Sequence, residues 1–223
     1  MRRPSALTAL LAALATLAAV LLAAPAASAE PIAVRGGDTL YRGDGARCTL
    51  AFNTRRGDGH YGVIAGHCGG AGTTWYVDAA RTVPLGTTVA SSFPGNDYGV
   101  IHYTNTALSY PGEVSAGGAA RDITGAAAPR IGQSVCHVGG AGGLRCGSVT
   151  AVNVTVNYGG GSVLYGLFRS NACHEPGDIG GPAFSGTTAL GVIVLGSGSC
   201  ASGGVTLYQP ITEVLQAHGL SLY

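Results

Sequence analysis

The sequence predicts an all-β fold of two antiparallel β-units followed by one C-terminal helix. Short runs rich in β-branched and aromatic residues alternate with Asp-Gly, Gly-Gly and Pro-Gly pairs, which is typical of strands joined by turns. The 38 glycines among 223 residues have no three-residue period, and 46% of residues are hydrophobic. Collagen-like and disordered chains are therefore excluded.

Eight segments have the composition of strands. The clearest is 149–157, where β-branched residues partly alternate with other residues. The eight predicted strands cover 48–54, 60–65, 74–77, 98–103, 147–158, 163–169, 189–195 and 204–208.

One segment has a convincing helical pattern. Pro210 begins it, Ile211, Val214 and Leu215 form an apolar stripe, and Gly219 ends it. The weakly patterned segment 116–129 is predicted to connect the two β-units, at about 36–120 and 130–223. No internal sequence repeat is visible.

The first 29 residues are predicted to be a secretory signal peptide. Arg2 and Arg3 precede an apolar run over 7–24, and the small-residue triplet 27–29 follows. A membrane anchor is disfavoured because the run is rich in alanine and ends at Pro25. Because no later run reaches the roughly 20 apolar residues of a membrane span, we expect a secreted, extracellular domain over 30–223.

The charge excludes two classes of partner. All 12 basic residues are arginines, 11 residues are acidic, and the formal net charge is +1. Nucleic-acid binding needs a basic surface, and anionic membranes attract polybasic runs. We therefore expect neither a nucleic-acid nor a membrane partner.

Six cysteines lie after the predicted signal peptide. An even number in an exported chain indicates three disulfide bonds, although six cysteines can pair in fifteen ways. No Cys-x-x-Cys or His-x-x-x-His spacing occurs, so we expect no metal site and no cofactor.

Three motifs point to a family. They are Ala65-Gly66-His67-Cys68, Asn96-Asp97-Tyr98-Gly99 and Gly177-Asp178-Ile179-Gly180-Gly181-Pro182. With Ser92-Phe93-Pro94 and Asn157-Tyr158-Gly159-Gly160-Gly161, they make the chain from residue 36 onward resemble the trypsin-like, chymotrypsin-family serine proteases of the secreted bacterial streptogrisin and α-lytic group.

The resemblance implies a hydrolase fold of two antiparallel six-stranded β-barrels with the active site in the cleft between them. We also expect a monomer. Pairing neighbours along the chain gives the expected disulfides, which are Cys48–Cys68, Cys136–Cys146 and Cys173–Cys200.

The resemblance also assigns catalytic roles. Family members use a Ser-His-Asp triad in the chain order His, Asp, Ser, and His67 and Asp97 match the first two positions. Backbone N–H groups stabilise the oxyanion of the tetrahedral intermediate. The matching N–H groups are those of Gly177 and Ile179.

The third triad position departs from the family. Ile179 stands where the nucleophilic serine belongs, and isoleucine has neither a nucleophilic atom nor an ionisable proton. Removing the triad serine of a comparable hydrolase lowers kcat by about 10⁶. The sequence therefore predicts loss of peptide hydrolysis.

Other positions depart as well. In the predicted substrate groove, Val194 replaces a serine that supports the aspartate, and Leu195 replaces a glycine ahead of Gly196. His137 stands where the bacterial group has an arginine that pairs with the carboxylate matching Asp178. We assign surface or packing roles to the remaining histidines, which are His60, His102, His174 and His218.

Three hypotheses remain. The first is a pseudoenzyme that binds a peptide or protein ligand in the inter-barrel cleft. The second is an active serine endopeptidase in which residue 179 is misread or another nucleophile is recruited. The third is a disulfide-stapled structural or decoy domain without a specific ligand, which a cleft filled by Ile179 and Leu195 would favour.

Overall fold

The structure is a computed structural model that describes residues 30–140 and 143–223. The predicted signal peptide, residues 1–29, lies outside the described residues and stays a prediction. Within the two described ranges, the chain forms eighteen strands, one α-helix and a 3₁₀ turn at Gly66–Cys68. No helix in these ranges is long and apolar enough to cross a membrane.

In chain order, the elements are β1 Ile32–Ala33, β2 Thr39–Arg42, β3 Arg47–Thr49, β4 Phe52–Arg56, β5 Gly59–Ile64, β6 Thr74–Tyr76, β7 Pro84–Ser92, β8 Tyr98–Tyr103, β9 Leu108–Ser109, β10 Glu113–Ala116, β11 Ala119–Asp122, β12 Gly125–Ala126, β13 Ser134–Val138, β14 Leu144–Gly159, β15 Ser162–Ser170, β16 Pro182–Ser185, β17 Thr188–Ser199, β18 Gly203–Pro210 and α1 Ile211–His218.

The first sheet runs in the order β3-β2-β6-β7-β8-β5-β4, with every neighbouring pair antiparallel. Only Leu50 and Ala51 separate β3 from β4, so the two ends of the sheet are continuous in the chain. If β3 and β4 are counted as one broken strand, the sheet closes into a six-stranded barrel.

The second sheet closes directly. Strands β17, β16, β13, β14, β15 and β18 pair antiparallel in that order, and β18 pairs back to β17. Strand β12 adds to this ring by parallel pairing with β17. The predicted pair of six-stranded barrels is therefore confirmed, with short parallel additions at β12 and between β1 and β9.

The connection predicted over 116–129 contains more structure than its sequence suggested. It includes β11, which forms a hairpin with β10 across Gly117 and Gly118, both at positive φ. Every residue of β11 is exposed, so no apolar alternation marks the strand in the sequence.

Each barrel has its own apolar core. Trp75, Leu85 and Ile101 lie in the core of the first barrel, and Phe168 and Leu190 lie in that of the second. A third cluster combines residues of both sheets, including Val63 and Val100 of the first and Leu164, Val192 and Val194 of the second. The two barrels thus share apolar packing, which holds the cleft between them in a defined geometry.

The predicted C-terminal helix is confirmed. Pro210 precedes its first residue, and Ile211 and Val214 are fully buried. Gly219 ends it at φ 59°, a left-handed conformation that glycine adopts without a Cβ clash.

The three expected disulfide bonds are present, and no cysteine of the described residues is free. The Cα–Cα distances are 5.9 Å for Cys48–Cys68, 4.0 Å for Cys136–Cys146 and 4.9 Å for Cys173–Cys200. The second is the shortest because Cys136 and Cys146 lie directly opposite each other on β13 and β14.

A polar chain crosses the core of the second barrel. His137 is fully buried, and its Nδ1 lies 2.8 Å from the Tyr208 hydroxyl, which lies 2.8 Å from Ser170 Oγ. The pKa of His137 is lowered to about 4, chiefly by burial and to a smaller extent by the charges of His174 and Arg145, while a hydrogen bond with the Cys173 backbone acts in the opposite direction. The imidazole is therefore neutral in the folded protein at neutral pH.

This burial predicts an acid-sensitive contribution to stability. Between pH 6.5 and about 4, the unfolded chain binds a proton at His137 that the folded chain excludes, so the free energy of unfolding falls as pH decreases. The expected loss from this group is about 3 kcal/mol, and it is complete below pH 4.

Urea unfolding of the wild type and of His137→Gln at pH 7 and pH 4.5 measures this loss. Glutamine keeps a hydrogen-bonding side chain but cannot take up the proton, so His137→Gln should lose less stability on acidification. His60→Gln, which removes an exposed imidazole, is the control. Equal losses in wild type and His137→Gln would contradict the assignment.

Candidate active site

The register of the first barrel brings His67 and Asp97 together. His67 lies in the 3₁₀ turn just after β5, and Asp97 immediately precedes β8. Strands β5 and β8 are antiparallel neighbours with Ile64 opposite Gly99, so the end of one meets the start of the other. At Gly66, an added Cβ would lie 2.7 Å from the Tyr98 carbonyl oxygen, so only glycine allows the turn to pack this closely.

The two residues form a doubly hydrogen-bonded pair. The backbone N–H of His67 donates to Asp97 Oδ1 at 2.9 Å, and His67 Nδ1 lies 2.7 Å from Asp97 Oδ2. Since an ionised carboxylate only accepts hydrogen bonds, Nδ1 carries the proton and Nε2 is left for other partners. Asp97 is fully buried, and its own N–H donates to Gln209 Oε1 of the second barrel at 2.9 Å.

Two aromatic rings contact His67. The ring centroids of Phe93 and Tyr158 lie 5.9 and 5.8 Å from that of the imidazole, and 5.2 Å from each other. Burial raises the pKa of Tyr158, and the charge of Asp97 adds to this effect. Tyr158 is therefore a neutral phenol that, with Phe93, restricts the imidazole from one side.

Backbone hydrogen bonds hold the loop that carries Ile179. The Ile179 carbonyl accepts from the Thr49 N–H at 3.1 Å, and the Gly180 N–H donates to the Ile193 carbonyl at 2.8 Å. Gly180 has φ 91°, and an added Cβ there would lie 2.3 Å from the Thr49 oxygen. These backbone hydrogen bonds dock the loop on both barrels, and the Ile179 side chain adds apolar packing to them.

The Gly177 and Ile179 N–H groups are available to a ligand. Neither donates a hydrogen bond to any acceptor in residues 30–140 and 143–223. The Gly177 carbonyl, in contrast, accepts from the Gly140 N–H at 3.1 Å and from the Thr49 hydroxyl at 3.0 Å.

An open pocket of about 420 Å³ brings the predicted site residues together. His67 forms part of its wall, as do Gly177 and Ile179, while Asp97 lies behind the imidazole. Its full lining is Thr39, Arg42, Ala46, Arg47, Cys48, Thr49, His67, Cys68, Gly140, Pro176, Gly177 and Ile179.

The predicted groove residues do not line this pocket. Val194 is buried in the apolar cluster shared by the two sheets, and Leu195 packs against the same cluster. Gly196 is covered by His174, because a Cβ added to Gly196 would lie 2.3 Å from the imidazole Nδ1 and Cε1.

The sequence analysis assigned His174 a surface or packing role but did not place it over Gly196, where the structure packs it. The sequence feature that could have indicated this position is the neighbouring cysteine. His174 follows Cys173, whose bond to Cys200 ties this segment to the end of β17.

Asp178 has no cationic partner among the described side chains. Its Oδ2 accepts from the Glu175 N–H at 2.8 Å, while Oδ1 is buried without a partner. His137, at the position of the family's arginine, pairs with Tyr208 instead. In the described ranges, no group of three or more His, Cys, Asp or Glu residues is arranged to hold a metal ion.

Comparison with known proteins identifies the family. No protein-family model matches the chain. Serine protease 2 of Streptomyces fradiae is 46% identical over 174 residues, which cover 78% of this chain and 100% of that protein. Streptogrisin-A of Streptomyces griseus is 42% identical over 189 residues, which cover 85% of this chain and 61% of that protein.

Solved structures agree. Alpha-lytic protease homolog N4 superposes with a TM-score of 0.77 at 50% identity, covering 86% of this chain and 100% of its own. A glutamic acid specific serine protease superposes with a TM-score of 0.79 at 40% identity, covering 85% and 100%. From this agreement of sequence and fold, the chain belongs to the chymotrypsin-like bacterial serine protease family, with the streptogrisins and alpha-lytic protease homologues as its relatives.

Proposed function

We propose that this chain is a secreted, catalytically inactive member of its family that binds a peptide or protein ligand in the cleft between the barrels. One observation carries the proposal. His67 is oriented by Asp97 as a general base requires, but the residue across the pocket is Ile179. A base without a hydroxyl to deprotonate cannot start acyl transfer.

The surroundings of His67 Nε2 support inactivity. No group in the part of the chain that the structure describes hydrogen-bonds this nitrogen. Two lining residues of the pocket carry hydroxyls, Thr39 and Thr49. The Thr49 hydroxyl already donates to the Gly177 carbonyl and accepts from the Gly140 N–H. Recruitment of Thr49 as a nucleophile is therefore disfavoured.

The open pocket supports binding over a decoy role without a ligand. Ile179 is only partly buried and packs against the apolar clusters, so it forms a wall of the pocket rather than filling it. Leu195 does not line the pocket. The pocket retains about 420 Å³ and two N–H groups without acceptors in the described residues, which a ligand can use.

The alternative is an active serine endopeptidase in which residue 179 is a misread serine. Sequencing codon 179 in the source DNA tests this alternative directly. A serine codon would overturn the proposal of inactivity.

The proposal predicts that a fluorophosphonate, which reacts with activated serines, does not label the purified protein. Intact-mass spectrometry should show no adduct for the wild type or for Ile179→Ala, which removes bulk without adding a hydroxyl. Ile179→Ser should gain one adduct, because its hydroxyl would lie beside His67. Stoichiometric labelling of the wild type, mapped to any residue, would establish a recruited nucleophile.

Rescue of hydrolysis should be incomplete with one substitution. Ile179→Ser restores a nucleophile, but the Asp97 carboxylate still receives hydrogen bonds only from His67, among the described residues, and Leu195 still replaces a groove glycine. We expect measurable but poor turnover from Ile179→Ser. The triple variant with Val194→Ser and Leu195→Gly should gain about tenfold or more, which needs only about 1.4 kcal/mol of transition-state stabilisation.

The measurement is kcat/KM on a chromogenic peptide. His67→Ala in the triple background should abolish the gain and is the control for adventitious hydrolysis. If the kcat/KM of Ile179→Ser equals that of the triple variant, Val194 and Leu195 do not impair the substrate groove. Wild-type cleavage that depends on His67 would contradict the proposed function itself.

A further inference from the structure

The pocket beside His67 has a strongly one-sided chemistry. Its lining includes Arg42, Arg47 and His67 but no aspartate or glutamate. Arg47 is exposed, and its side chain makes no hydrogen bond within the described residues. Arg42 donates to the Cys68 carbonyl at 2.9 Å and pairs with Asp44, which is not a lining residue. The lining therefore favours a negatively charged ligand.

The backbone at the base of the pocket has the same bias. The carbonyls of Gly177 and Ile179 accept hydrogen bonds from Gly140, Thr49 or both. The N–H groups of the same two residues have no acceptor within residues 30–140 and 143–223. The carbonyl groups of Gly177 and Ile179 are thus hydrogen-bonded within the protein, whereas their N–H groups remain free to donate to a ligand.

His67 supplies a third donor, and a positive charge, when its imidazole is protonated, because Nε2 of the neutral ring is an acceptor. Its Nδ1 is held by Asp97, so Nε2 is the nitrogen available to a ligand. The Asp97 carboxylate lies on the Nδ1 side of the ring, outside the pocket lining, and both of its oxygens accept hydrogen bonds from His67. Asp178 is buried within the loop and does not line the pocket; its Oδ2 accepts from the Glu175 N–H, while its Oδ1 has no partner among the described residues.

We propose that this pocket is a carboxylate-binding site for the peptide ligand, an inference that rests on the proposed function. One carboxylate oxygen would accept from the Gly177 and Ile179 N–H groups, and the other would face His67 Nε2 and Arg47. In an acting protease such donors meet a negative oxygen only transiently. Without a nucleophile, a permanent anion can occupy them, and charge-assisted hydrogen bonds of this kind are strong.

The carboxylate can come from a peptide C-terminus or from an aspartate or glutamate side chain. The test uses three probes on the full chain as secreted. They are an N-acetylated tripeptide of alanines with a free C-terminal acid, its C-terminal amide, and the same amide with a central glutamate.

Binding is followed by the amide NMR shifts of Gly177 and Ile179. At least one acidic probe should bind about tenfold or more tightly than the plain amide, with downfield shifts of both amides. The acidic probe that binds more tightly identifies the source of the carboxylate. If neither acidic probe binds more tightly than the amide, the inference is overturned.

Two arginine variants provide the matched comparison. Arg47→Ala should remove most of the preference for acid over amide, whereas Arg121→Ala, which removes an exposed arginine outside the pocket lining, should keep it. If Arg47→Ala and Arg121→Ala reduce the acid preference equally, or if Arg47→Ala leaves it unchanged, the preference does not arise in this pocket and the inference is overturned. Hydrolysis of the probes, scored separately by mass spectrometry, would contradict the proposed function and not the carboxylate preference.

Discussion

The docking of the 177–181 loop onto both barrels is the constraint on which the site depends. Thr49 of the first barrel donates to the carbonyl of Ile179, and Ile193 of the second accepts from Gly180. These contacts use only backbone atoms. These hydrogen bonds do not require a particular side chain at position 179, although Ile179 also packs against the apolar clusters. A family scaffold can therefore keep these contacts when the residue at that position changes.

The persistence of the His-Asp pair has a structural explanation. Asp97 is fully buried, and both of its carboxylate oxygens accept from His67. A buried carboxylate that loses its donors costs about 1–3 kcal/mol or more. The pair therefore stabilises the start of β8 whether or not it catalyses a reaction, and its presence is no evidence of proteolysis.

Sequence reasoning predicted features set by local patterns. The motifs around His67 and Asp97 and the helix between Pro210 and Gly219 carry their own signals, in turn residues and apolar spacing. Strand β11 was missed because it is exposed on both faces, so burial left no pattern in its sequence. Strand β7 is also absent from the predicted strands. It begins with Pro84, and it pairs with β6 on one side and β8 on the other, contacts that its own composition does not indicate.

The site was predicted less completely because its remaining parts depend on long-range contacts. His174 packs against Gly196 from a distant part of the chain, next to the Cys173–Cys200 bond that ties the two segments together. The chemistry of the pocket likewise depends on Arg42 and Arg47, which are distant in sequence from the motifs of the second barrel. Ile179 provides no hydroxyl beside His67, but the N–H groups of Gly177 and Ile179 still face a ligand without an acceptor in the described residues. If proteolysis is lost as proposed, donors arranged for a transient oxyanion become available to a stable anion.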